Sequence, residues 1–201
     1  MNFDWTLAYG AAFFLQVVVP GPAALFVVAT AMSQGQRAAI NASFGIALGD
    51  VLLAGIALAG LSAVAAHYPQ WWLALEVTGA AYLLLLGIRL WGGTPNSLAG
   101  ESHSQSARQL ASGGLLGLTN PRGIAAHTSL MPLALKGSTN VPLTGPTILA
   151  MVLTINLGVL TAYAIGSARA GKVAHGSGQE RVLRTVASVT MIASAIVILI
   201  F

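Results

Sequence analysis

The chain has 201 residues, 56% of them hydrophobic and 7% charged, with a mean hydropathy of +0.79. Soluble domains carry about 25% charged residues, so this composition excludes a soluble globular domain and points to an integral membrane protein. The absence of cysteine excludes disulfides and thiolate metal sites, and the net charge of +4 lies mainly in connections, with no basic run to bind nucleic acid.

A membrane helix needs roughly 20 apolar residues, and six candidate spans meet that at 5–32, 38–66, 71–91, 112–135, 144–168 and 184–201. Ala29-Thr30-Ala31 has the small-x-small look of a signal-peptide cleavage site. The first basic residue, however, is Arg37, so no cationic leader region precedes the apolar run, and the first segment is expected to be retained. Within it, Pro20-Gly21-Pro22 removes backbone donors and clashes with the preceding turn, which breaks the helix. Irregular backbone is tolerated at membrane depth only where protein buries it or where it lines a cavity. The break is therefore a candidate site.

In the second span, Asp50 is the one acidic residue well inside an apolar run. A charge there costs at least ~2.5 kcal/mol on insertion scales, so it should face the helix bundle. Arg122 is its expected partner by depth. Burial and that arginine act on the carboxyl in opposite senses, which makes Asp50 a candidate for proton coupling, with a fixed structural pair as the plain alternative. Gly45 and Gly49 form a small-xxx-small pair suited to close helix packing. Around the third span, Tyr68, Trp71 and Trp72 read as an interfacial belt and Glu76 as solvated. The Ser- and Gly-rich stretch 92–111 reads as a solvated linker that divides the spans three and three.

The fourth span is broken at Thr119-Asn120-Pro121-Arg122, where Asn or Thr caps and proline opens a new half-helix. Free N–H groups at such a start favour anions. Arg122 could bind a substrate carboxylate bidentately, which lysine could not do as well. His127, one and a half turns on, is a second proton-coupling candidate or a buried neutral histidine. Asn156 in the fifth span, with Thr119 and Asn120, supplies neutral polar lining. Ser129 lies near His127 but lacks a third partner and a nucleophile elbow. No metal-ligand spacing or cofactor motif is evident, and none is expected.

Seven basic residues (Arg37, Arg89, Arg108, Arg169, Lys172, Arg181, Arg184) fall in the odd-numbered connections against Lys136 alone in the even ones. That bias predicts both termini outside and the linker in the cytoplasm. Three spans per half then predict two inverted repeats, about 1–91 and 112–201, within a single transmembrane domain over 1–201. Pro22 to Met32 matches Pro121 to Met131 in register, and each half opens on a broken helix.

Several of these motifs occur together: Pro20-Gly21-Pro22, Gly45-Ile46-Ala47-Leu48-Gly49-Asp50, Gly79-Ala80-Ala81-Tyr82-Leu83 through Gly87-Ile88-Arg89-Leu90, then Asn120-Pro121-Arg122 and Pro132. In this combination, over most of 15–132, the sequence resembles the LysE/RhtB family of amino-acid exporters. It departs from the family in having Arg122 where lysine is usual, and Ala125-Ala126-His127-Thr128-Ser129 where an apolar aromatic stretch is usual.

The resemblance implies amino-acid export across the inner membrane, driven by proton antiport. With no second intramembrane acid, a neutral amino acid or related small zwitterion is preferred to a cationic one. The expected site joins Pro20, Gly21, Pro22, Asn120, Pro121, Arg122 and Asn156 for substrate with Asp50 and His127 for protons. A membrane-embedded enzyme built on His127 and Ser129 or Asp50, and a channel or scaffold subunit, are the alternatives. Homo-oligomerisation is left open.

Overall fold

The structure of the protein is a computed structural model. It describes residues 5–60, 102–136 and 141–173, together with Val77, Ala81, Leu84, Leu85, Gly87, Ile88, Trp91, Thr185, Ser188, Val189, Ile192 and Ile196. The continuous stretches form α1 (Trp5–Val18), α2 (Pro22–Gln34), α3 (Gln36–Leu58), α4 (Ser102–Leu118), α5 (Pro121–Lys136) and α6 (Val141–Val173). Twice in chain order, a helix breaks, resumes and is followed by a long one.

Helix α3 is central and packs against α2, α4, α5 and α6, while α6 also lies along α1 and α2. The polarity of α3 is reversed relative to a soluble helix. Phe44, Leu48, Leu52 and Ile56 form an exposed stripe four residues apart, whereas Ser43 and Asp50 are buried on the side facing its neighbours. That distribution suits hydrocarbon outside and polar contacts inside. Among the described residues, Gln36–Leu58 and Leu143–Arg169 are long and apolar enough to cross a membrane. Trp5–Val18 and Pro22–Gln34 qualify together as one span bent by 47°.

The expected break in the first span falls between Val18 and Pro22. Pro22 opens α2, and the N-cap Gly21 is extended at φ −137° with no side-chain cap. Gly35 then separates α2 from α3 at φ +91°, a backbone region that side chains with a Cβ rarely adopt. The expected fourth span is two helices, α4 and α5, parted at Thr119 and Asn120. One expectation is corrected here: 92–111 is not linker throughout, because helix begins at Ser102 and Gln109 is buried. The close packing on α3 starts at Leu110, near the end of that stretch, and continues through Gly113, Gly114 and Gly117 beyond it.

A Cβ placed at Gly45 or Gly49 would lie 2.1 Å from the Leu110 or Gly114 carbonyl oxygen. From the other side, a Cβ placed at Gly113 or Gly117 would lie 2.3 or 2.2 Å from the Ala42 or Ile46 carbonyl oxygen. Only glycine permits that crossing. The expected spans at 71–91 and 184–201 lie largely outside the described residues, as do Tyr68, Trp71, Trp72 and Glu76. Between those two spans, the Ser188 hydroxyl donates to the Gly87 carbonyl at 2.6 Å.

Candidate functional site

Burial drives the polar chemistry of α3 inward, and Asp50 is 4% exposed. Its carboxylate is shared between two helices. His127 Nε2 on α5 lies 3.1 Å from Oδ1, and Asn156 Nδ2 on α6 donates to Oδ2 at 2.8 Å and to the Val152 carbonyl at 3.0 Å. On the far side of the imidazole, Nδ1 is 2.7 Å from the Tyr9 hydroxyl of α1. The Phe13 ring stacks on His127 with centroids 5.3 Å apart. Tyr9, His127, Asp50 and Asn156 thus form one buried chain across α1, α5, α3 and α6, an arrangement a low-dielectric interior tolerates only when each member is satisfied.

Arg122 is not the partner of Asp50, contrary to the expectation from depth. Its guanidinium serves the open end of α1 instead: Nη1 donates to the Val19 carbonyl at 2.9 Å and Nη2 to the Gln16 carbonyl at 2.7 Å. Gln16 Nε2 returns a bond to the Arg122 carbonyl at 2.7 Å. The last carbonyls of a helix lack intrahelical partners and are the negative end of its dipole. A cation from α5 is therefore well matched there, and the physical reason for the correction is that backbone acceptors freed by the break compete successfully for it. Tyr163 on α6 donates to the Val18 carbonyl at 2.7 Å, completing the cap of α1.

At the second break, Asn120 Oδ1 accepts from the Arg122 N–H at 3.2 Å, the side-chain cap expected of asparagine. Thr119 instead bonds back to the Leu115 carbonyl at 2.7 Å.

These groups meet at a cavity of about 30 Å³ whose lining includes Gln16, Gly21, Pro22, Asp50, Asn120, Arg122, Gly123 and Asn156. That volume holds roughly one or two water molecules. Its walls are cut close by glycine: a Cβ at Gly21 would lie 2.6 Å from Arg122 Nη1, and one at Gly123 would lie 2.7 Å from Asp50 Oδ1. A larger groove of about 810 Å³ runs along α1 and α6, lined by Phe14, Val18, Ile155, Val159, Ala162 and Tyr163 among others. No charged side chain is among its described lining residues, so its size does not make it the centre of the chemistry.

The cavity brings together Gly21, Pro22, Asp50, Asn120, Arg122 and Asn156 of the expected site residues. Pro20 is exposed, and Pro121 opens α5 at the second break but is not among the cavity's described lining residues. His127 lies behind Asp50, fully buried. Ser129 is exposed while His127 is buried, so the two do not form a nucleophile–base pair. Sequence reasoning missed Gln16 and Tyr9. Gln16 carried a signal, being a lone amide in an apolar run, whereas Tyr9 resembled an ordinary interfacial aromatic.

A leucine efflux protein of Enterobacter sp. (strain 638) is 36% identical over 132 residues, 64% of this chain and 61% of its own. A leucine efflux protein of Salmonella typhimurium is 32% identical over 128 residues, 62% and 59% of the two chains. An uncharacterized membrane protein of Pseudomonas aeruginosa is 31% identical over 127 residues, 60% and 58%. The chain thus matches about three-fifths of the length of these relatives. No solved structure matches it. The LysE type translocator family matches residues 14–200, nearly the whole chain, and the protein belongs to that family of membrane translocators.

Proposed function

We infer that the protein is a secondary-active exporter of amino acids or related small zwitterions across the cytoplasmic membrane, working by proton antiport. The observation that carries this reading is the convergence of both helix breaks, Asp50 and Arg122 on one cavity. The N-terminal ends of α2 and α5 supply partial positive charge for a substrate carboxylate. Arg122 retains donors beyond the two that cap α1, and it adds a full positive charge. Asp50, lining the same cavity, takes up and releases the proton. The family and the leucine efflux relatives support the substrate class.

A neutral, apolar amino acid fits best. Among the described residues lining the cavity or the groove, Asp50 is the sole acid. A cationic side chain would thus compete with the proton for its one counter-ion. An amino acid is several times larger than the present cavity, so binding must part the walls. The bonds most directly in the way are those from Arg122 to Gln16 and Val19, and a substrate carboxylate competes for the same donors. Six spans in two inverted repeats, with both termini outside, complete the reading.

Export by purified protein in lipid vesicles, measured for a panel of amino acids with and without a pH gradient, tests the reading. Gradient-dependent export of neutral amino acids by the wild type, lost in Asp50→Asn, is the expected result. Export by Asp50→Asn equal to wild type would remove the coupling role. Flux that neither saturates nor responds to pH would instead indicate a channel.

A further inference from the structure

Buried hydrogen-bond chains have a direction, and in this one it is set from both ends, by Asp50 at Nε2 and by Tyr9 at Nδ1 of His127. Asn156 can only donate to Oδ2 through its amide nitrogen. An ionised Asp50 also accepts at Oδ1, so the His127 nitrogen facing it at 3.1 Å, Nε2, carries a proton. In a neutral imidazole the other nitrogen, Nδ1, is then an acceptor, and the Tyr9 hydroxyl 2.7 Å away is its donor. Every member is satisfied when the hydrogen bonds run from Tyr9 to His127 to Asp50.

One added proton upsets that order at its far end. Whether it comes to rest on His127 as imidazolium, or on Asp50 with the imidazole switching tautomer, Nδ1 becomes an N–H donor. The Tyr9 oxygen must then accept and its own hydrogen must turn away. Tyr9 is 2% exposed and Phe13 is fully buried beside it, so water does not readily meet the reversed hydroxyl. The proton itself enters from the cavity side, because Asp50 lines the cavity and neither His127 nor Tyr9 does. His127 is faced by Tyr9 from α1, Asp50 from α3 and the neutral Asn156 from α6 through Asp50. Arg122, the charged residue of its own helix at the same cavity, is bonded to α1 carbonyls.

We propose that Tyr9 is a positioning residue that holds His127 in its Nε2–H tautomer toward Asp50 and transmits protonation of this pair to helix α1. Proton uptake at the cavity leaves the Tyr9 hydroxyl hydrogen without its acceptor and so disfavours the present arrangement of the α1–α5 contact at Tyr9. The other tie between those helices, Arg122 to Gln16 and Val19, is the one a substrate carboxylate contests. Proton and substrate thereby act on the same helix through two separate contacts. This inference rests on the antiport reading for its consequence in transport, but not for the tautomer.

The test uses Tyr9→Phe, which keeps the ring stacked on Phe13 at 6.0 Å and removes only the hydroxyl. In full-length protein labelled with nitrogen-15 histidine, with His127→Gln subtracted to assign the signal, wild type is expected to show the Nε2–H tautomer of His127 and Tyr9→Phe a mixture. In vesicles, the pH of half-maximal export by Tyr9→Phe is expected to move by about half a unit or more, roughly a threefold change in proton affinity. That displacement is expected to vanish when the substitution is made in the His127→Gln background, because Tyr9 acts through His127.

An unchanged His127 tautomer in Tyr9→Phe overturns the proposal, as does an undiminished pH displacement in the His127→Gln background. Failure of antiport itself reads differently: Asp50→Asn exports normally while the tautomer still depends on Tyr9.

Discussion

The crossing of α3 and α4 makes a quantitative prediction that is independent of function. At Gly49 an added Cβ would lie 2.1 Å from the Gly114 carbonyl oxygen and 2.8 Å from the Leu118 nitrogen, and at Gly45 it would meet Leu110 and Gly114 backbone atoms at 2.1 and 2.8 Å. The atoms it meets are backbone on both counts, so no side-chain rotation relieves the clash, and moving from 2.1 Å to the 3.4 Å at which ordinary contact begins requires a separation of at least 1.3 Å. Overpacking of this kind costs about 1–3 kcal/mol, and the rigid neighbours put it at the upper end. Alanine returns about 0.5–1 kcal/mol through its better helix propensity. The net for Gly49→Ala is a loss of about 2 kcal/mol, roughly a 30-fold fall in the folding equilibrium constant.

Gly55 is the internal control. It lies on the same helix, and a Cβ there meets nothing within 4 Å. Gly55→Ala is therefore expected to leave stability unchanged or raise it by up to ~1 kcal/mol. Reversible unfolding of detergent-purified protein, followed by circular dichroism, compares the two. The double substitution at Gly45 and Gly49 should cost less than the sum of the singles, because the first methyl already parts the helices. Gly49→Ala and Gly55→Ala agreeing within about 0.5 kcal/mol would refute the close crossing.

Three further outcomes follow from the cavity. Arg122→Ala strips the donors from the Gln16 and Val19 carbonyls, so backbone hydrogen exchange around 16–21 should accelerate and substrate affinity should fall by about tenfold or more; an unaltered affinity would remove Arg122 from the site. Gly123→Ala places a Cβ 2.7 Å from Asp50 Oδ1 and must displace the carboxylate from His127. Gradient-driven export should then drop on the order of tenfold with little loss of protein from the membrane, and wild-type export would contradict the geometry. Asn156→Leu leaves Oδ2 of Asp50 without its 2.8 Å donor at a cost of about 1–3 kcal/mol, measurable in the same unfolding assay as a loss that Asp50→Asn in the same background partly restores.

Much of this was legible in the residues, and what was not has a geometric cause. Pro20, Gly21 and Pro22 announce a break because missing donors and ring clashes are local facts that need no tertiary context. Asp50 announces its burial because a charge in hydrocarbon has nowhere else to go. Its partner was misjudged because depth along a helix is readable from sequence but rotation about the axis is not. Arg122 and His127 are five residues apart on α5, and at 3.6 residues per turn they point about 140° apart. Both are deep enough, and only packing decides that His127 faces α3 while Arg122 faces the end of α1. The helix from Ser102 was hidden for the opposite reason. Its Ser and Gly content favours loops by propensity, and it becomes helix because Gly113 and Gly117 fit against the Ala42 and Ile46 backbone, and Gly45 and Gly49 against that of Leu110 and Gly114, in a neighbour about 70 residues away.

Seen together, the two breaks serve one another. Gly21, in the first break, is the residue whose missing side chain leaves room for the Arg122 guanidinium that follows the second; Gly123, just past the second break, leaves room for the Asp50 carboxylate of the first half. Each half of the chain thus supplies a charge and the hollow that receives the other's charge. Neither charge can be seated without the opposite break in position. A movement of one half against the other, as alternating access requires, must therefore disturb both charges at once. On the proposed reading, in which Arg122 meets the substrate and Asp50 the proton, the glycines tie both groups to the same displacement, with no direct bond between Asp50 and Arg122.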